Sequence, residues 1–126
     1  MAARITEIAI DCADPEALGR FWSQALGYDV GESEDGYLEL VPPDAARPAS
    51  PTIGLIRVPE PKTVKDRLHL DLTATDRPQA EEVERLLALG ARRADVGQGE
   101  DVSWVVLADP EGNEFCVLAG RVEPLA

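Results

Sequence analysis

The chain has 126 residues, the size of one compact domain and too few for two independent hydrophobic cores. Twenty-four acidic against twelve basic residues give a net charge of −12, which argues against a phosphate-backbone partner, so no nucleic acid is expected. The opening MAARITE has no apolar run of signal-peptide or membrane-span length, so no membrane partner and a cytoplasmic location are expected; the two cysteines, Cys12 and Cys116, make no disulfide framework and are expected reduced.

In chain order, ITEIAIDCAD alternates Ile8 and Ile10 against Glu7, Ala9 and Asp11, the period of a strand with one packed face and one polar face. Asp14-Pro15 is a helix start, with proline at the first helical position. Leu18, Phe21, Trp22, Ala25 and Leu26 then give an apolar helical stripe that closes at Leu26-Gly27. Tyr28 to Ser33 reads as a strand, Glu34-Asp35-Gly36 as a turn, and Tyr37 to Val41 as a strand with Leu38 and Leu40 opposite Tyr37 and Glu39. Pro42 to Pro51 holds four of the ten prolines and reads as a long connection. Thr52 to Val58 is a fourth strand, and Pro59 to Lys65 is a stiff polar link.

The pattern then restarts. RLHLDLTATD carries the only histidine and sets Leu68, Leu70 and Leu72 against His69, Asp71 and Thr73. Thr75, Asp76 and Pro78 read as the next helix start, with Ala80, Val83, Leu86 and Leu87 as its stripe and Leu89-Gly90 as its stop. In both halves the polar strand residue, Glu7 or His69, stands seven positions before the capping aspartate, Asp14 or Asp76. Arg92 to Val96 and Ser103 to Ala108 read as strands, Asp109-Pro110-Glu111-Gly112-Asn113 as a tight turn, and Glu114 to Leu118 as the closing strand before a loose tail. The chain is therefore expected to be α+β, built of two tandem β-α-β-β-β modules. Module one covers about residues 1–58, the link 59–66, module two about 67–120 and the tail 121–126.

Alternation also assigns the polar faces. In the first module they carry Glu7, Asp11, Tyr37 and Glu39 beside Ala9, with Arg57 at the edge. In the second they carry His69, Asp71, Trp104 and Cys116 with Val106 and Glu114. Carboxylates beside aromatic faces suit a bulky or cationic organic ligand, through charge pairing and cation–π contact. Each residue also has a plainer role: His69 hydrogen-bonded to Asp71 or Glu7, Cys116 as a small packing residue, Phe21 and Trp22 as core.

The tandem repeat, the Asp-Pro helix start followed by FW and LGY, and the closing ADPEGNEFCVL together resemble the vicinal oxygen chelate superfamily, which includes glyoxalase I, extradiol dioxygenases, and bleomycin and fosfomycin resistance proteins. RLHLDL and DPEGNEFCVL look most like its small glyoxalase-like branch. The resemblance covers essentially the whole chain. It implies a cupped mixed sheet with helices on the outer face, a homodimer, and in metal-dependent members one divalent ion (zinc, nickel, manganese or iron) held by strand residues of both modules. Carried onto this sequence, the first-strand ligand positions are Glu7 and His69. The last-strand position of the second module, three residues after Asn113, is Cys116, and that of the first falls near Gly54 or Ile56, which offer no ligating side chain. The implied metal set is thus Glu7, His69 and Cys116, short of the usual four. A single histidine also argues against the two-histidine iron site of extradiol cleavage. Two functions stay open: a binder of a small organic molecule, acting in resistance or sequestration, and a metal-dependent lyase, isomerase or dioxygenase with a degenerate metal site.

Overall fold

Alternating apolar and polar residues leave the first strand with two unlike faces. In the computed structural model, which describes residues 2–44 and 49–124, β1 (Glu7–Cys12) half-buries Ile8 and Ile10 and exposes Glu7, Ala9 and Asp11. The helix that follows, α1 (Pro15–Leu26), starts where Asp14 accepts a hydrogen bond from the Ala17 N–H at 3.1 Å. It stops at Gly27, whose φ of 70° lets its N–H turn back to the Ser23 carbonyl. Leu18, Phe21, Trp22 and Ala25 form its buried stripe, and the Phe21 and Trp22 rings meet edge to face at 5.1 Å.

Three strands complete the first module: β2 (Asp29–Glu34), β3 (Tyr37–Val41) and β4 (Thr52–Arg57). Their order is β1-β4-β3-β2, with β1 parallel to β4 and the other pairs antiparallel. One face of this sheet sends Leu38, Leu40, Ile53 and Leu55 against α1. The helix comes close because residue 19 is glycine; a Cβ there would collide with Leu38 Cδ2. The other face presents Glu7, Tyr37 and Glu39.

The second module repeats the plan with β5 (Asp71–Ala74), α2 (Gln79–Leu89), β6 (Arg92–Arg93), β7 (Val105–Ala108) and β8 (Glu114–Arg121). Their order is β5-β8-β7-β6, again with the first strand parallel to the last. Val83 and Leu86 of α2 pack over Ala74, Leu107, Phe115 and Val117, all buried. The molecule is thus two helices and two four-stranded mixed sheets, an α+β fold of two modules. Two compact units divide between Pro61 and Lys62.

Departures from the sequence expectations gather in the second module. Ladder pairing begins at Asp71, so Leu68 stands outside the strand and is 91% exposed instead of packed. Asp76 does not cap α2. Proline at 78 disfavours helical geometry for the residue before it, so the helix begins two residues later than an Asp76 cap would allow, and Asp76 binds Arg77 Nε at 2.9 Å. Arg92 to Val96 pairs over only two residues, and β7 starts after Trp104. β8 runs to Arg121 because the Val122 N–H is still held by the Ala74 carbonyl across an irregular step in the ladder, which shortens the expected tail. Residues 45–48 of the long connection and 125–126 of the tail lie outside the described residues.

The turn between β7 and β8 is locked by Asp109, which is wholly buried. Its carboxylate accepts from the N–H groups of Glu111 and Asn113, at 2.9 and 3.0 Å, and from the Asn113 side-chain amide. Asp109→Ala removes this acceptor set and strands the donors, so it is expected to cost about 3 kcal/mol of stability, read as a lower urea midpoint at unchanged slope.

Candidate functional site

The open face of the second sheet is assembled by register. Parallel pairing sets Asp71 beside Cys116, and antiparallel pairing sets Val106 beside Cys116 and Ala108 beside Glu114. Just before β5, the Leu70 carbonyl accepts the Cys116 N–H at 2.9 Å. His69 and Asp71, two residues apart, therefore project to the same side as the Cys116 thiol. Phe115 and Val117 turn to the opposite side, under α2. The result is a cavity of about 420 Å³. Trp104, Val106 and Leu118 supply its apolar wall, residues 96–98 one flank, and His69, Asp71 and Cys116 its polar floor.

On that floor, the His69 Nδ1–H donates to Asp71 Oδ1 at 3.0 Å, and both side chains remain nearly half exposed, at 45% and 46%. Burial pushes the Cys116 thiol above its ordinary pKa, and the Asp71 carboxylate, through its charge and its hydrogen bond with the thiol, pushes it further. Asp71 thus sits between an imidazole and a thiol and touches both. Ligand atoms of the three residues lie within 4.8 Å of one another, the grouping among the described residues able to hold a metal ion.

At the rim is an ionic clamp. Lys62 Nζ lies 2.9 Å from Glu114 Oε2 and 3.7 Å from Asp66 Oδ1, and the Glu114 N–H donates to Asp66 Oδ2 at 3.1 Å. Burial works to raise the Glu114 carboxyl, but the Lys62 ammonium and backbone hydrogen bonds together outweigh it and the net shift is downward. Asp66, desolvated and facing Glu114, is raised. Glu114 was legible from alternation; Lys62 and Asp66 look like link residues in the sequence, although their separation of four and opposite charge was a pairing signal.

The first module spends its polar face on itself. Glu7 Oε1 accepts from the Tyr37 hydroxyl at 3.1 Å and from Thr52 Oγ1 at 3.2 Å, and Glu39 Oε1 accepts the Glu32 N–H at 3.1 Å. Desolvation and then the Glu7 carboxylate push the Tyr37 phenol up to about 12. Gly54 gives these groups room: a Cβ there would stand 3.0 Å from the Glu7 carboxylate and 3.2 Å from the Tyr37 ring. Asp11 lies exposed on β1, and Arg57 pairs outward with Asp35 at 2.9 Å. The donor types in the second module (imidazole, carboxylate and thiol) fit a divalent ion such as zinc. Position 54 of the first module supplies no donor.

Three sets of comparisons bear on this chain. The glyoxalase-like domain family matches residues 7–118. No curated protein matches in sequence. Among solved structures, the fosfomycin resistance protein FosX from Listeria monocytogenes, complexed with Mn(II) and sulfate, is 15% identical, with a TM-score of 0.73 over 97% of this chain and 94% of that one. A glyoxalase/bleomycin resistance protein/dioxygenase family enzyme from Burkholderia phytofirmans is 20% identical, with a TM-score of 0.68 over 91% and 97%. The bleomycin-binding protein of Streptomyces verticillus, complexed with copper(II)-bleomycin, is 17% identical, with a TM-score of 0.60 over 96% and 99%. Identities this low carry the fold alone.

The Glu7–Tyr37 bond gives a direct check on the first-module face. Glu7→Gln keeps an acceptor but removes the charge, so Tyr37 is expected to titrate below about 12 while staying above an ordinary phenol because its burial remains. Ring-carbon NMR with Tyr28 as internal reference reads this, and an unmoved Tyr37 would contradict the assigned contact. With the match spanning nearly the whole chain, the protein belongs to the glyoxalase-like domain family.

Proposed function

We propose that the protein binds a small organic molecule, cationic or aromatic in character, in the cavity on the open face of the second sheet. The carrying observation is the cavity itself. About 420 Å³ falls within the range of small-molecule sites, and an apolar wall with a few convergent polar groups is their usual lining. Trp104, 39% exposed, offers a flat face to such a ligand. Asp71 offers the opposite charge, and the net charge of −12 favours approach of a cation. Sequestration or resistance is the role this reading supports. A cytoplasmic homodimer belongs to the same proposal, on composition and family resemblance; no helix among the described residues is long and apolar enough to cross a membrane.

A second reading, metal-dependent lyase, isomerase or dioxygenase chemistry, is favoured by the closeness of His69 and Cys116 on one floor. Turnover by metal-loaded protein, absent after chelation, would separate it from pure binding.

The binding reading is tested on chelator-treated protein by titrating Trp104 fluorescence with aromatic ammonium compounds and their neutral isosteres. A saturable response is expected for the cations, weakened by salt. Asp71→Asn should loosen it about three- to tenfold, a loss of roughly 1 kcal/mol for a half-exposed charge. Equal affinity for charged and neutral probes, or no saturable response, would overturn it.

A further inference from the structure

We propose that His69, Asp71 and Cys116 form a binding site for a borderline divalent ion, zinc foremost, complete within the second module and using Asp71 where the superfamily pattern would take Glu7.

The argument is geometric. Three positions converge: His69, two residues ahead of β5, Asp71, the first residue of β5, and Cys116, the third residue of β8. The Asp71–Cys116 pairing fixes them side by side. Their ligand atoms already lie within 4.8 Å of one another, and tetrahedral zinc with bonds of the usual lengths needs separations of roughly 3.3 to 3.8 Å. The spread required is small, and His69 Nδ1 and Asp71 Oδ1, at 3.0 Å, would have to part slightly.

The proton balance is simple. In the metal-free protein, hydrogen bonds from His69 Nδ1–H and from the Cys116 thiol tie the three groups together through Asp71. On binding, the ion takes the place of those two protons. The imidazole carries its proton on Nε2 instead of Nδ1, and the thiol proton leaves to solvent. Imidazole, carboxylate and thiolate is a donor set that zinc accepts and that magnesium and calcium do not favour. Three protein ligands would leave a fourth position open, and all three residues line the cavity.

Asp71 is available for this in a way Glu7 is not. Glu7 Oε1 already accepts from Tyr37 and Thr52, and its carboxylate fills the space that a side chain at residue 54 would use. Asp71 holds only the two groups that would become its co-ligands, among the contacts described. The inference needs no organic ligand and no turnover, so it stands or falls apart from the binding reading above.

The test is cobalt titration of untagged, chelator-treated protein, followed by the thiolate-to-cobalt charge-transfer band, with zinc as competitor. The expected result is a band that saturates at one equivalent and is displaced by zinc. It should be absent in Cys116→Ser and intact in Cys12→Ser. Affinity should fall on the order of a hundredfold in His69→Ala and Asp71→Asn, since losing an outer-shell partner alone costs ten- to a hundredfold. Glu7→Gln should leave affinity within about threefold, the scatter expected for an uninvolved residue. No saturable band would overturn the proposal, as would a loss in Glu7→Gln matching that in Asp71→Asn, or an unchanged affinity in Asp71→Asn. If Cys116→Ser misfolds, the half-exposed His69→Ala carries the decision, with circular dichroism confirming its fold.

Discussion

Parallel pairing of each module's opening strand with its closing one is the constraint on which the rest of the structure depends. β1 lies beside β4, and β5 beside β8, although Glu7 and Thr52, like Asp71 and Cys116, stand 45 positions apart in sequence. A parallel pair cannot be joined by a tight turn; the intervening helix and hairpin must cross over, and the helix must lie on one face. That leaves the opposite face open in each sheet. It also brings the polar residue at the start of each module against the last strand, so distant positions in the chain become neighbours. His69, Asp71 and Cys116 meet for this reason and for no local one.

The two modules share this scaffold but use its open face differently. In the first, carboxylate, phenol and hydroxyl satisfy one another, and a glycine makes room for them. Polar groups that are mutually hydrogen-bonded cost little to keep and offer little to a ligand. In the second, the polar floor remains half exposed under an apolar wall, while the clamp of Lys62, Asp66 and Glu114 settles charge at the rim. The duplicated plan therefore yields one self-contained face and one with chemistry still to use.

Much of the fold was legible because the hydrophobic periods were clean. The Ile8–Ile10 alternation, the Asp14-Pro15 start, the Leu18 to Leu26 stripe and the Tyr37 to Val41 strand all occur as the pattern dictates. Errors came where local signals competed with tertiary ones. Leu68 keeps the alternation but lies beyond the reach of the β8 ladder, so periodicity continued past the strand. Asp76 has the chemistry of a cap, yet Arg77 takes its carboxylate and Pro78 delays the helix. In the site, His69, Asp71 and Cys116 were each singled out from the sequence, but a strand period says only which residues share a face. It does not give the register between strands. The role of Asp71 as the bridge between the other two follows from that register alone.

Gly54 has a consequence for how such a scaffold can be altered. The space a side chain at residue 54 would enter is crowded by a neighbouring carboxylate and an aromatic ring. A side chain installed there would meet that carboxylate and that ring together, so Glu7 would have to shift by a few tenths of an ångström and strain its bonds to Tyr37 and Thr52 to admit the newcomer.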